Sequence, residues 1–223
     1  MAIFLRTGAA LVILAACATA QAQVAGTISV RLGATRIMPD VDSGNLSEPS
    51  FPNTKIDVNS ASALSGGINY MLTDNWAVDM PLALPFKHSF YGDGAIDGVG
   101  KLGQVKALPA TLFLEYRFFE ANAKFRPYLG LGVTYAKFFK NRTTATLSAL
   151  TGGGPGNPTT AKLDNKFALT PKIGFVYNIN ERWFVDAAYY KSFLKTTAHL
   201  STGQSIPIKL NPDVVSIGVG YKF

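Results

Sequence analysis

Apolar side chains alternate with polar or small ones along most of the chain, and this alternation predicts β-strands. In the C-terminal segment, every second residue from Val215 to Phe223 is apolar, and Ser216, Gly218 and Gly220 fall between them. A period of two places one apolar face on a strand. The pattern recurs upstream and predicts seven further strands, at about 26–37, 58–72, 76–90, 105–118, 125–139, 165–179 and 183–198.

The connections between these strands alternate in length. The segments near 38–57, 89–104, 140–164 and 199–206 are long, whereas those at 73–75, 119–124 and 180–182 are short. Hydrophobic residues make up 48% of the chain and charged residues 16%, yet the apolar positions are scattered in alternation rather than gathered in a helical span. Strands that face lipid must close on themselves to satisfy their backbone groups. We therefore predict an all-β, eight-stranded antiparallel transmembrane β-barrel with short periplasmic turns and long extracellular loops.

The N-terminus predicts export. Residues 1–22 contain one charge, Arg6, then an apolar run over 9–18 and an Ala-x-Ala motif at 20–22. This run is too short for a membrane helix and is typical of a cleaved signal peptide. Cleavage after Ala22 would leave residues 23–223 as a single barrel domain. The alternative is a lipoprotein box ending at Cys17, which would then be acylated rather than removed.

The C-terminus predicts the destination. Ser216, Gly218, Tyr221 and Phe223 form a polar-x-Gly-x-x-aromatic-x-aromatic pattern. This pattern resembles the signal that outer-membrane barrels present to the barrel-assembly machinery. We therefore expect localisation in the bacterial outer membrane. The alternative is a soluble eight-stranded barrel, whose apolar face would point inward and whose charged residues would point outward.

Several segments together resemble the OmpW family. They are 71–76, 85–88, 108–112, 124–128, 138–139, 211–212 and 218–223, and they occur in order over the chain after residue 22. The resemblance implies an eight-stranded outer-membrane barrel with a narrow, partly hydrophobic lumen. The family is associated with uptake of small hydrophobic molecules, so we predict passage of such a ligand. The alternatives are a structural or receptor barrel for phage or bacteriocin, a role in stress resistance, or a narrow ion channel.

The predicted lumen divides into two halves. Toward the outside, the inward positions are apolar, and the candidate ligand residues are Pro81, Phe113, Phe138 and Tyr190. The resemblance implies large apolar side chains on strands three and seven, where this chain has Pro81 and Tyr190 instead of the expected leucine and tryptophan. Toward the periplasm, the inward charges are expected to pair into a plug; they are Asp79, Glu115, Arg117, Lys172, Asp186 and Lys222.

Prolines within the predicted strands indicate weak points in the wall. Pro85 and Pro109 fall on adjacent strands, and proline cannot donate a ladder hydrogen bond. One hypothesis is a lateral seam through which an apolar ligand leaves the lumen into the bilayer; the other is a pair of strand-end kinks. In the predicted strand 76–90, which contains Pro85, alternation predicts that Phe86 faces lipid and that Lys87 lies on the opposite face.

The formal net charge of +7 fits a membrane partner. Basic residues concentrate near the predicted outer rim, where lipopolysaccharide and other outer-membrane lipids present phosphate groups. Nucleic-acid binding is not expected, and no motif predicts a metal or cofactor. An enzyme acting on lipid A is disfavoured, because His88 and Ser89 are strand neighbours that point to opposite faces, and no catalytic pattern surrounds His199.

Overall fold

The computed structural model describes residues 23–223, which form fourteen β-strands and one short helix. The predicted signal peptide, residues 1–22 including Cys17, lies outside the described residues. The strands are β1 (Ile28–Met38), β2 (Asp42–Ser43), β3 (Thr54–Val58), β4 (Ala61–Met71), β5 (Trp76–Ala83), β6 (Phe86–Gly94), β7 (Lys101–Arg117), β8 (Phe125–Thr143), β9 (Ala161–Leu163), β10 (Lys166–Asn178), β11 (Trp183–Lys191), β12 (Lys195–Leu200), β13 (Ser205–Lys209) and β14 (Asp213–Lys222); the helix is α1 (Ala145–Leu150).

Eight strands close into an antiparallel barrel, as predicted. Around the wall the order is β1, β4, β5, β7, β8, β10, β11 and β14, and β14 pairs with β1 from Ser29↔Lys222 to Met38↔Asp213. The C-terminal segment that carries the predicted assembly signal is therefore the strand that closes the barrel. Within residues 23–223, no helix is long and apolar enough to cross a membrane.

The outer face of the wall is apolar, and we call this surface the lipid belt. Large side chains such as Leu32 and Phe167 are 64% and 72% exposed on it. At the end with the short turns, the turn end, aromatic rings contact one another in pairs, including Trp76 with Tyr116 at 5.1 Å between centroids. An apolar outside with interfacial aromatics is the arrangement that a hydrocarbon environment requires.

The opposite end of the barrel, the loop end, is folded rather than being a set of open loops. Strands β2, β13, β12 and β9 form a second four-stranded sheet there, and β3 pairs with β6. The predicted continuous strand 183–198 is therefore wrong: β11 ends at Lys191, and the following segment joins the second sheet as β12. Apolar residues of both sheets pack together and form a core above the lipid belt.

The predicted strand 76–90 is also interrupted. Strand β5 ends at Ala83 and β6 begins at Phe86, so Pro85 lies in the gap between them. Across this gap the alternation changes phase, because Leu84 and Pro85 are both exposed. Phe86 is therefore buried at 1% exposure, and Lys87 points outward. The prediction that Phe86 faces lipid and that Lys87 lies on the opposite face was wrong for this reason.

Candidate functional site: an apolar cavity above an ionic plug

Charged side chains fill the lumen toward the turn end, and we call this cluster the ionic plug. Its members are Arg31, Asp79, Glu115, Arg117, Lys172 and Asp186. Asp79 accepts two hydrogen bonds from the Arg31 guanidinium, at 2.6 and 2.8 Å, and one from Lys172 Nζ at 2.8 Å. The side chains of all three residues are at most 10% exposed. Asp79 is thus held between two cations inside the barrel.

The other carboxylates of the plug are paired in the same way. Lys172 Nζ lies 2.7 Å from Glu115 Oε1, and Arg117 Nη2 lies 3.4 Å from Glu115 Oε2. Asp186 lies 3.6 Å from Arg31 Nε and accepts a hydrogen bond from the Tyr128 hydroxyl at 3.0 Å. Because buried charges are tolerated only when they are paired and hydrogen-bonded, the plug forms one connected unit.

Two of the sequence-based assignments for this region need adjustment. Lys222 points inward, but its Nζ donates to the Asn178 side-chain oxygen at 3.2 Å instead of joining a carboxylate. Arg31 was missed, although its place on the polar face of the first predicted strand was the available signal. Gly67 makes room for it, since a Cβ atom there would lie 2.7 Å from the guanidinium carbon.

A layer of hydroxyl groups and aromatic rings separates the plug from the space above it, and we call this layer the floor. Thr134 Oγ1 lies 2.8 Å from Thr111 Oγ1 and 2.7 Å from Thr170 Oγ1. The rings of Phe113 and Tyr190 meet edge to face, with centroids 5.5 Å apart. Lys172 Nζ lies 4.7 Å from the Phe113 ring centroid, so the floor rests directly on the plug.

An apolar cavity of about 130 Å³ lies at the loop end, and we call it the upper cavity. Side chains of both sheets line it, among them Ile37, Leu102, Phe138, Leu194 and Ile206. Phe138 lines this cavity, whereas Phe113 and Tyr190 do not. Most of the lining comes from the loop-end segments, where the sequence pattern had indicated only connections.

A smaller cavity of about 50 Å³ continues from the upper cavity down to the floor, and we call it the lower cavity. The two share Ile37, Ala136 and Leu194 among their lining residues. Pro81 and Tyr190 line the lower cavity, and Phe113 closes the floor through its contact with Tyr190. Of the four candidate ligand residues, Phe138 thus lines the upper cavity, Pro81 and Tyr190 line the lower cavity, and Phe113 lies in the floor without lining either.

Beside the lower cavity, two neighbouring segments of the barrel wall do not pair with each other. Strands β5 and β7 pair as far as Asp79↔Phe113, and pairing resumes only at Phe86↔Ala107 between β6 and β7. We call the unpaired edges, residues 80–85 and 108–112, the seam. Both edges keep their pairing on the other side, with β4 and β8 respectively.

Prolines lie on both edges of the seam. Pro81 and Pro85 belong to one edge, Pro109 to the other, and none of them can donate a backbone hydrogen bond. Pro81 and Ala83 on one edge and Pro109 and Thr111 on the other also line the lower cavity. The apolar space inside the barrel thus extends to the unpaired part of its wall.

The arrangement around His88 shows no catalytic geometry. Its Nδ1 lies 2.8 Å from the Asn59 carbonyl oxygen, and burial above the lipid belt lowers its pKa. Ser89 follows it within β6, so their side chains point to opposite faces. Among residues 23–223, no group of three or more His, Cys, Asp or Glu side chains is placed to hold a metal ion.

These features define a membrane-spanning β-barrel with a narrow lumen that is apolar toward one end and closed by paired charges toward the other. The chain belongs to the OmpW family, which it matches over residues 24–223. It is 33% identical to outer membrane protein W of Vibrio cholerae serotype O1 over 202 residues, which is 89% of each chain. It is located in the bacterial outer membrane, as its relatives are.

Solved structures agree with this assignment. The crystal structure of the outer membrane protein OprG from Pseudomonas aeruginosa has a TM-score of 0.81 and 31% identity, covering 91% of this chain and 99% of that one. In sequence, the chain is also 25% identical to the outer membrane protein AlkL of Ectopseudomonas oleovorans over 182 residues, or 80% of this chain and 74% of that protein. The fold and the family are therefore established by independent comparisons.

Proposed function

We propose that this barrel takes up small hydrophobic molecules at its loop end and releases them sideways, through the seam, into the outer membrane. The observation that carries the proposal is that the apolar cavities meet the seam directly above the floor and the ionic plug. A molecule that enters from outside therefore reaches an unpaired part of the wall before it reaches the buried charges.

The energetics favour an apolar ligand in the cavities. Transfer of apolar surface from water contributes about 0.8 kcal/mol per buried CH₂ group. A cavity of about 150 Å³ lined by apolar side chains holds a molecule such as benzene. The upper cavity, at about 130 Å³, therefore suits a ligand of one ring or a short alkyl chain.

The plug opposes movement along the barrel axis. Asp79 and Lys172 are almost fully buried and in direct contact with each other, and the floor covers them from above. An apolar molecule would have to separate these ion pairs in a narrow, low-dielectric lumen, which costs several kcal/mol. Release through the seam exposes the same molecule only to hydrocarbon, which is chemically similar to the cavity lining.

We expect Pro85→Ala to slow uptake of a small apolar probe about fivefold. Alanine restores a backbone donor to the seam, and one added hydrogen bond stabilises the closed wall by about 1 kcal/mol. The measurement is the rate at which radiolabelled toluene, a one-ring probe, is taken up by cells that express the variant at the wild-type level.

Pro171→Ala is the matched control for this change. Pro171 lies in β10 opposite Leu131 of β8 and belongs to neither edge of the seam. On its other side, the pairing of β10 with β11 ends at Lys172↔Tyr190. Its substitution should leave the uptake rate unchanged. Uptake by the Pro85→Ala protein at the wild-type rate would contradict lateral release.

A further inference from the structure

Two lysines lie directly opposite each other where the ladder resumes above the seam. Lys87 of β6 is the ladder partner of Lys106 of β7, immediately after the Phe86↔Ala107 pair. Lys137 of β8 is opposite Leu108, which places it diagonally beside Lys106 on the same face. We call Lys87, Lys106 and Lys137 the lysine triad. Like charges at such positions are destabilising unless something neutralises them.

The triad points away from the barrel interior. The neighbours of Lys87 in sequence, Phe86 and His88, are both buried, as is Val105 beside Lys106. Because side chains alternate along a strand, the lysines themselves project from the outer face. In the part of the chain that the structure describes, none of the three ammonium groups forms an ion pair or hydrogen bond with the protein.

The level of the triad is that of lipid headgroups. On β8 the outward residue that precedes Lys137 is Tyr135, whose ring packs on the lipid-facing Phe167 at 4.9 Å between centroids. The lysines therefore begin where the lipid belt ends, on the loop-end side. In an outer membrane this side faces the leaflet that contains lipopolysaccharide, whose phosphate groups are hydrogen-bond acceptors for ammonium donors.

We propose that a phosphate group of lipopolysaccharide binds between Lys87, Lys106 and Lys137 and clamps the loop end of the seam. The phosphate would supply the counter-charge that the protein lacks at this position. It would also connect β6 to β7 at the second pair above the unpaired edges. The bound lipid would thus fix the loop-end limit of the seam. Phosphate binding at the triad does not depend on which molecule passes through the seam.

The test is a binding titration with purified protein, refolded in detergent free of lipopolysaccharide. The probes are bisphosphorylated lipid A, the same lipid A with both phosphates removed, and phosphatidylglycerol, each in mixed micelles. Wild-type protein should bind bisphosphorylated lipid A in preference to both other lipids. Equal binding of the dephosphorylated form, or of phosphatidylglycerol, would overturn the assignment to lipopolysaccharide phosphate.

The decisive variant is Lys87→Thr with Lys106→Thr, since threonine suits an exposed strand position. We expect roughly 30-fold weaker binding of bisphosphorylated lipid A, because each lysine near an anionic lipid contributes about a fivefold factor. The charge-preserving pair Lys87→Arg with Lys106→Arg should retain binding, which separates loss of charge from loss of fold.

The control is a second pair of opposed lysines, Lys195 of β12 and Lys209 of β13. These belong to the loop-end sheet, and Lys209 already has a counter-ion in Asp42 at 2.6 Å. Lys195→Thr with Lys209→Thr removes the same charge and should change lipid A affinity little. Equal losses of lipid A affinity in the two double variants would mean that lipid A is attracted to the basic residues of the loop end in general. The triad would then not be a specific site.

Discussion

Lys172→Met should lower the free energy of unfolding by about 3–5 kcal/mol, which is the usual cost of removing one partner from a buried ion pair. The Lys172 ammonium contacts Asp79 and Glu115 at 2.8 and 2.7 Å, and its side chain is 1% exposed. After substitution, Asp79 would retain Arg31, but Glu115 would retain only the longer contact with Arg117. Methionine fills a similar volume, so the loss would be electrostatic rather than a cavity.

The measurement is urea unfolding in lipid vesicles, followed by tryptophan fluorescence. Lys191→Met is the matched control, because Lys191 also lies between two carboxylates, Asp40 and Asp213, but at the exposed loop end. Exposed ion pairs contribute little to stability, so this variant should unfold at the wild-type urea concentration. Equal unfolding midpoints for the two variants would show that the plug does not hold the barrel together.

Ala136→Phe should reduce uptake of the apolar probe at least tenfold. Ala136 is buried at 4% exposure and lines both cavities, so a phenyl ring there would occupy the passage between them. The added ring partly fills the passage between the cavities and partly overpacks it. Overpacking costs about 1–3 kcal/mol, which a closed barrel tolerates. Uptake of radiolabelled toluene by cells expressing the variant measures the effect.

Ala34→Phe controls for the added ring. Ala34 is exposed on the outer face of β1, so phenylalanine there would contact lipid and leave the cavities unchanged. Uptake by this variant should equal that of the wild type. If Ala136→Phe folds and still transports the probe at the wild-type rate, the ligand does not pass through the two cavities.

The lower half of the barrel could be predicted from the sequence because one rule governs it. Where a strand has lipid on one side and a packed lumen on the other, alternation fixes the face of every residue. Asp79 and Asp186 were placed inward on this basis, and both lie in the plug. The short turns at 73–75 and 180–182 were equally predictable, because short polar segments between apolar strands mark them.

The loop end could not be predicted in the same way. Its strands are covered by a second sheet, so their exposed face meets water rather than lipid, and the contrast between faces becomes weak. The prediction also assumed that alternation continues unbroken through each strand. Because the alternation changes phase at Pro85, Phe86 and Lys87 were assigned to the wrong faces. Ile206 and Leu102 line the upper cavity from segments that the sequence indicated only as loops.

The pairing of the seam was beyond sequence reasoning for a further reason. Proline shows where a donor is missing, but it does not show which neighbour loses the hydrogen bond. Pro171 is paired with Leu131 of β8 and lies one residue beyond the end of the β10–β11 pairing, whereas Pro85 lies in the gap between β5 and β6 where the pairing with β7 stops. Only the register of the strands on either side distinguishes the two cases.

Covalent closure of the seam tests lateral release most directly. In a Cys17→Ser background, Leu82→Cys and Ala110→Cys would place thiols on the two seam edges, where the register of Asp79↔Phe113 would continue. Ala34→Cys with Leu64→Cys is the control, since these residues are direct partners in the continuous β1–β4 ladder. Both pairs face lipid, so neither obstructs the lumen.

The readout is transfer of the apolar probe into liposomes that carry lipopolysaccharide in their outer leaflet, with and without the purified protein. It is measured after the two thiols are linked through disulfides with a bifunctional methanethiosulfonate, and again after reduction. Linking the seam should abolish the part of probe transfer that depends on the protein, reduction should restore it, and linking the control pair should have no effect. If the protein with a fully linked seam transfers the probe as fast as it does after the link is cleaved by reduction, lateral release is contradicted.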